Sequence, residues 1–223
     1  MQTVSERNRV YGFLTASLAA MSGCAGLQEI AMLDKAPNPD RLSAFSDGVF
    51  AVIITILVLE LKPPSLPTWE ALGDLWPSGV SYAVSYFFIA IVWINHHHLM
   101  RYADAATPRL IWGNFAHLFS VSLVPFSTAW IAGSRLAAIP VALYAGVFVL
   151  VNVTYLVLRW ETMDRSQAEG ITPRHRQTMR IRSRVTLGIF AAAAIVALKY
   201  PIAGIVLICL CLGFYVRPEA PKV

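Results

Sequence analysis

The chain has 223 residues, of which 57% are apolar and 14% are charged, and its mean hydropathy is +0.58. Soluble domains carry about 25% charged residues, so the composition excludes an ordinary soluble protein and indicates an integral membrane protein. A net charge of +5 and a pI near 9.3 also suit nucleic-acid binders, but the basic residues follow a membrane-topology pattern. We therefore expect a lipid bilayer, and no nucleic acid, as a partner.

Residues 1–39 are predicted to form an N-terminal arm and linker. Within them, VYGFLTASLAAMSGCA at residues 10–25 is similar to a signal peptide, and Cys24 lies where a bacterial lipoprotein is cleaved. Met21, however, stands where such a site usually has leucine. Three interpretations stay open: an amphipathic or disordered arm, a genuine signal, or a true start at Met21 or Met32. We favour the first and the third.

The sequence after the linker divides into six apolar segments of the kind that cross a bilayer, since a spanning helix needs roughly 20 apolar residues. They lie at residues 44–61, 80–100, 110–132, 136–158, 185–198 and 201–216. The last two are short, so a shallow re-entrant hairpin remains an alternative to the two crossings that we prefer. The predicted fold is an all-α membrane protein with a six-helix domain over residues 40–216 and a C-terminal tail over residues 217–223.

The distribution of basic residues sets the orientation, because cytoplasmic loops collect Lys and Arg. With six crossings and both termini in the cytoplasm, 15 of the 18 Lys and Arg residues fall on the cytoplasmic side. The other three are Lys62, Arg135 and Lys199. Seven arginines lie between residues 159 and 184. We favour positive-inside charge alone as their explanation; the alternative is that RHRQTMRIRSR, at residues 174–184, lies on anionic lipid head groups as an amphipathic extension of the fifth helix.

The first segment begins with charged residues at the mouth of an apolar helix, RLSAFSDGVFAVIITILVLEL at residues 41–61. We call Arg41, Ser46 and Asp47 the polar foot. Charged groups at membrane depth are costly and are usually functional. Asp47 lies five residues before Val52, so on a helix it projects about 140° away from that residue. It should face a neighbouring helix.

Further along the same helix, four residues fall on one narrow face at positions i, i+3, i+4 and i+7. We call this set the α1 stripe; it comprises Val52, Thr55, Ile56 and Leu59. Two interpretations stay open at this point. The stripe is either a packed or lipid-facing surface, or the lining of a pore made of apolar rings with one hydroxyl ring.

The second segment ends in WINHHHLMRY at residues 93–102. Three consecutive histidines point about 100° apart on a helix, so they do not converge on one ion as an i, i+4 pair does. We therefore expect no metal site and no cofactor. Hydrogen bonds from Asn95 and at least one histidine to Ser46 and Asp47, which lie at the same membrane depth, are the better explanation.

The third segment is unusually polar, and Pro125 is expected to kink it, with nearby hydroxyls satisfying freed carbonyls. The chain has no GxSxG, HExxH or P-loop motif and no paired carboxylates, so an enzyme is not expected. It also lacks the TVGYG filter of common potassium channels.

Several motifs resemble those of the prokaryotic members of the transmembrane protein 175 family of potassium channels. The hallmark of that family is Arg, three residues, then Phe-Ser-Asp, which here are Arg41, Phe45, Ser46 and Asp47. WINHHHLMRY resembles the end of the family's second helix, and LVPFSTAW resembles its third-helix motif. The resemblance covers about residues 40–216.

The resemblance implies a homotetramer in a bacterial plasma membrane, with the first helix of each subunit lining a central pore that passes K⁺. It places the constriction at Val52, further apolar layers at Ile56 and Leu59, and a hydroxyl layer at Thr55. Isoleucine or leucine is more usual at the constriction, so valine implies a wider ring.

The resemblance also places Arg41, Phe45, Ser46, Asp47, Asn95, His96 and His97 in a structural network that supports the pore helix. Which of the adjacent histidines takes part is left open. The alternative function is a proton-coupled secondary transporter that uses Asp47 and the histidines of the second helix as a relay. A non-conducting structural protein is the third class.

Overall fold

The computed structural model describes residues 39–165 and 173–215. The predictions for the N-terminal arm before residue 39, for Cys24 and for the tail at residues 217–223 concern residues outside these ranges. Throughout the described ranges the regular structure is helical: α1 (Pro39–Leu59), α2 (Trp69–Gly73), α3 (Trp76–Met100), α4 (Pro108–Ser122), α5 (Val124–Gly133), α6 (Ala138–Arg159) with a π-helical turn (Trp160–Arg165), α7 (Pro173–Ala197) and α8 (Pro201–Tyr215). The predicted all-α class is confirmed.

Within the described residues, four helical stretches are long and apolar enough to cross a membrane: Pro39–Leu59, Trp76–Met100, Pro108–Gly133 and Ala138–Met163. They coincide with the first four predicted segments to within about five residues at each end. The helix α8 is apolar but shorter, and α7 begins well before the predicted fifth segment, in a stretch that carries several arginines. Crossing of the membrane by α7 and α8 therefore stays a prediction.

Threonine and proline residues define where several helices begin. The Thr68 hydroxyl accepts a hydrogen bond from the Ala71 amide at 3.2 Å, and the Thr107 hydroxyl accepts one from the Leu110 amide at 3.2 Å. Each bond satisfies one of the amides that a first helical turn leaves without an intrahelical partner. Pro108, in the first turn of α4, has no amide hydrogen to satisfy.

The third span is interrupted at Leu123, between the end of α4 and the start of α5. Pro125 lies in the first turn of α5, and because proline has no N–H it cannot continue the hydrogen-bond ladder. Hydroxyls donate to nearby carbonyls on both sides of the break, from Ser122 to Phe119 at 2.7 Å and from Thr128 to Val124 at 2.7 Å. The predicted interruption is present.

The core contains buried residues of α1 and of α3 to α8, among them three aromatic rings that α3, α6 and α7 pack together. Phe88 stacks on Phe148 with ring centroids 3.5 Å apart and an angle of 6° between the planes. Phe190 packs edge-on against both rings, at 5.9 and 5.3 Å. Beside them, the buried hydroxyl of Ser85 lies 2.6 Å from the Thr128 hydroxyl and 2.8 Å from that of Tyr144. These contacts tie α3 to α5 and α6.

The helices α7 and α8 approach each other closely at Gly204. A Cβ atom at that position would lie 2.8 Å from the Cβ of Ala197 and 3.1 Å from the carbonyl oxygen of Ala193. Small residues let membrane helices pack backbone to backbone. Glycine is therefore required for the α7–α8 contact.

Candidate functional site: the polar network and the exposed stripe of α1

The first helix has two faces of opposite character. Phe50, Ile53 and Leu57 are buried against the rest of the bundle. On the other face, 56% of Val52, 39% of Ile56 and 75% of Leu59 is exposed, and Thr55 is exposed beside them. The α1 stripe therefore has no packing partner within the described part of the subunit, which leaves it available to a second chain, to an aqueous path or to lipid.

The hydroxyl of Thr55 is oriented by its own helix. It donates to the carbonyl oxygen of Val52 at 2.8 Å. Because a threonine hydroxyl has one hydrogen and two lone pairs, this bond uses the hydrogen and leaves lone pairs on an exposed oxygen. The stripe thus presents a hydroxyl oxygen as an acceptor, between apolar neighbours.

Asp47 faces a neighbouring helix and is directed away from the stripe. Its carboxylate accepts a hydrogen bond of 2.8 Å from the indole nitrogen of Trp93 in α3. This direction agrees with the 140° offset from Val52 expected for a helix. The contact fixes the polar foot of α1 to α3.

Ser46 takes part in a buried chain of hydrogen bonds across three helices. The side-chain nitrogen of Asn114, in α4, donates to the Ser46 hydroxyl at 2.9 Å, and its oxygen lies 2.7 Å from Nε2 of His96 in α3. The Ser46 hydroxyl in turn donates a hydrogen bond to the Leu42 carbonyl at 2.8 Å. The three side chains are fully buried. A histidine of α3 and the serine of the foot are thus joined through α4.

The orientation of Asn114 determines the tautomer of His96. The amide nitrogen is the group that donates to Ser46, so the oxygen must accept from the imidazole, and Nε2 must carry the hydrogen. Nδ1 of His96 is then an acceptor, and it is buried with no hydrogen-bond partner among the described residues.

A second buried histidine, His117 of α4, extends the network towards α6. Its ring is nearly parallel to that of His96, with centroids 5.7 Å apart. Nδ1 of His117 lies 3.1 Å from the Thr154 hydroxyl, which is also 2.8 Å from the hydroxyl of Ser120. Phe50 of α1 covers both imidazoles, at 5.3 and 6.3 Å between ring centroids. The network therefore spans α1, α3, α4 and α6.

The structure places the other predicted network residues as follows. Arg41 is exposed, and half of Phe45 is exposed with its ring 5.7 Å from that of Phe115. His97 is half-buried with its ring 5.7 Å from Trp93, and no described residue bonds its Nδ1. Asn95 lines a separate cavity between α3, α6, α7 and α8.

Sequence reasoning missed Asn114, Trp93 and His117 as members of the network. Asn114 and His117 were visible as polar residues of the third segment, spaced three apart, and this spacing places both on one face of a helix. Trp93 carries an indole N–H that usually finds a partner when partly buried. These signals identify candidate members of the network. They do not identify the residues on other helices that each one bonds, because those depend on how the helices pack.

Over residues 39–165 and 173–215, these features define an all-helical, multi-pass membrane protein. Its first helix is held on one side by a buried polar network, and its other side has no packing partner in those ranges. The sequence model of one protein family, described as endosomal/lysosomal potassium channel TMEM175, matches residues 41–125. That stretch contains α1 and every residue of the Ser46–Asn114–His96 chain. A potassium channel of a Chryseobacterium species is 33% identical over 175 residues, which cover 78% of this chain and 87% of the relative. The chain belongs to the TMEM175 family, which consists of ion channels and not of enzymes.

Two further relatives agree with this assignment. A potassium channel of Streptomyces collinus is 38% identical over 128 residues, covering 54% of this chain and 62% of the relative. The crystal structure of a lysosomal potassium-selective channel TMEM175 homologue from Chamaesiphon minutus superposes with a TM-score of 0.68 at 26% identity. The superposition covers 80% of this chain and 96% of that one.

Proposed function

We propose that the protein is a homotetrameric, potassium-permeable cation channel of a bacterial plasma membrane, with α1 of each subunit lining a central pore. The observation that carries the proposal is the division of α1 into a buried face and an exposed stripe of Val52, Thr55, Ile56 and Leu59. Bacterial relatives that bear the name potassium channel support the choice of ion. Closed rotational symmetry turns each stripe residue into a ring.

The apolar rings would control permeation by narrowing the path and by resisting wetting. Val52 forms the constriction in this proposal, and Ile56 and Leu59 form the layers that follow. Thr55 adds a ring of hydroxyl oxygens, and since each hydroxyl hydrogen is already donated to Val52, the ring offers lone pairs to a cation.

The polar network supports the pore helix and does not itself touch the ions. Ser46 and Asp47 lie on the side of α1 that contacts α3 and α4, and both are hydrogen-bonded there. Arg41, Phe45 and His97 are proposed as further supports at the same end of the bundle. Asn95 was expected to bond Ser46 or Asp47 but instead lines the cavity between α3, α6, α7 and α8. The proposed topology keeps six crossings and cytoplasmic termini.

Potassium flux into proteoliposomes tests the pore. Val52→Trp should block flux and Val52→Ala should raise it, because the ring is filled in one variant and widened in the other. Val58→Ala is the matched control: Val58 is also exposed, at 49%, but lies six residues on, about 120° around the helix. Flux that is unchanged in Val52→Trp, or raised equally by both alanine variants, would reject the pore assignment.

A proton-coupled carrier makes a different prediction for Asp47. A relay loses flux driven by a pH gradient in Asp47→Asn while the protein still folds. The proposed channel instead loses tetramer stability in that variant. The Trp93 indole would then donate to a neutral amide oxygen, and hydrogen bonds to a charged carboxylate are stronger. The pore helix would therefore be held less firmly against α3. Size-exclusion chromatography and pH-driven flux measured on the same sample separate the two outcomes.

A further inference from the structure

A cavity of about 80 Å³ lies between α3, α6, α7 and α8, and none of its lining residues belongs to α1. Its volume exceeds what a single water molecule needs. Part of its wall is polar, formed by Asn95, Asn152, Arg182, Ser183 and Thr186. Arg182 and Asn95 are half-buried, so the cavity reaches the surface of the subunit beside them.

The lining changes from polar to apolar along the bundle axis. Asn95 lies five residues before the end of α3, whereas Phe88 lies two turns deeper in the same helix. On α7, Arg182 and Ser183 precede the deeper Phe190. Phe88 and Phe190 belong to the aromatic cluster of the core. The cavity therefore has a polar mouth near the membrane surface and an aromatic floor.

Two side chains at the mouth have unused hydrogen-bonding groups. The amide of Asn95 and the hydroxyl of Ser183 line the cavity without a hydrogen bond to any described residue. Neither group is among the buried side-chain atoms that lack a partner, so both are accessible to a ligand at the mouth. Both donate hydrogen bonds, and Arg182, which also has an interaction of its own within the protein, adds a positive charge beside them. The mouth suits an anionic group with several acceptor oxygens.

We propose that this cavity binds the phosphate headgroup of an anionic phospholipid, with Arg182, Ser183 and Asn95 contacting the phosphate and its glycerol. The position favours a lipid, since basic pockets between membrane helices on the arginine-rich side take anionic headgroups from the adjacent leaflet. The cavity is too small for a whole lipid, so the acyl chains remain in the surrounding bilayer. This site goes beyond ion conduction.

Native mass spectrometry of the full chain tests the site. The purified protein is incubated with phosphatidylglycerol or with phosphatidylcholine of the same acyl chains, and retained lipid is counted. The wild type should retain phosphatidylglycerol in preference. Ser183→Ala, a small change that should preserve folding, and Asn95→Leu should lower that retention by roughly tenfold, as expected for a lost hydrogen bond to a charged group.

The matched pair Arg182→Gln and Arg184→Gln separates the cavity from the general surface charge. Arg184 is exposed on the same helix and does not line the cavity, so its loss should leave retention near the wild-type level while Arg182→Gln lowers it. Equal losses in the two arginine variants, or wild-type retention in Ser183→Ala and Asn95→Leu, would overturn the proposal. Equal retention of phosphatidylcholine and phosphatidylglycerol by the wild type would also overturn it, and so would a wild type that binds inorganic phosphate but retains no phosphatidylglycerol.

Discussion

Asn114 is the residue on which the buried network depends, because its single amide group joins Ser46 of α1 to His96 of α3. Asn114→Leu keeps the size of the side chain but leaves Nε2 of His96 buried without an acceptor, and it removes the bond donated to Ser46, whose hydroxyl still donates to Leu42. We expect the free energy of unfolding to fall by about 1–3 kcal/mol, the usual cost of an unsatisfied buried polar group. Thermal unfolding of the purified protein measures the loss.

Asn152→Leu is the control for Asn114→Leu. It makes the same chemical change, but Asn152 donates within its own helix, to the Phe148 carbonyl at 3.3 Å. We expect a smaller loss in that variant. Equal destabilisation by the two substitutions would contradict this expectation. It would show that the hydrogen bonds between helices add no more to the free energy of unfolding than the bond that Asn152 makes within its own helix.

From the sequence, Ser46 and His96 were predicted to lie at the same membrane depth, with side chains able to hydrogen-bond. The sequence did not identify Asn114, which joins them. Depth follows from position along a spanning helix, at 1.5 Å per residue, and is readable from the chain. Lateral neighbours depend on which helix faces α1, and that is set by packing of all the spans together. The same limit explains Asn95, whose amide is at the expected depth but lines the cavity between α3, α6, α7 and α8.

At the scale of elements, the contact between α7 and α8 depends on Gly204. Gly204→Ala places a methyl group where the Cβ of Ala197 is 2.8 Å away, so the helices must separate. We expect a loss of about 1–3 kcal/mol, as for overpacked cores. Gly213→Ala, on the same helix with nothing within 4 Å of the added carbon, should be neutral or slightly stabilising. Thermal unfolding of the pair tests the contact, and equal stability would contradict it.

The helices themselves were largely predictable, because long apolar runs specify spanning helices with little ambiguity. The break at Leu123 was also predictable from Pro125, whose missing N–H is a local property of the sequence. Hydropathy alone did not predict the start of α7, which it places near residue 185, whereas the helix begins at Pro173. The alternative of an amphipathic extension through the arginine-rich stretch covers these residues. Arginine-rich sequence has no apolar signal, yet it forms helix readily when it continues an apolar one.

For the whole molecule, the turn between α7 and α8 distinguishes two topologies, two membrane crossings or a re-entrant hairpin. If both helices cross, Lys199 in that turn lies outside the cell; in a re-entrant hairpin it lies within the membrane. In a variant lacking the native cysteines, Lys199→Cys should react with a membrane-impermeant maleimide in intact cells. Lys62→Cys is the positive control and Arg101→Cys the negative one. Protection of residue 199 together with labelling of residue 62 would establish the hairpin.

The anchoring of α1 at Asp47 by Trp93 makes that end of the helix a pivot in the proposed tetramer. Val52 lies roughly 8 Å along the axis from the pivot and Leu59 roughly 18 Å. A rigid tilt about Asp47 therefore displaces Leu59 more than twice as far as Val52. The four helices would act as levers with the narrowest ring close to the fulcrum, so the outer layers can widen or close while the diameter at Val52 changes least.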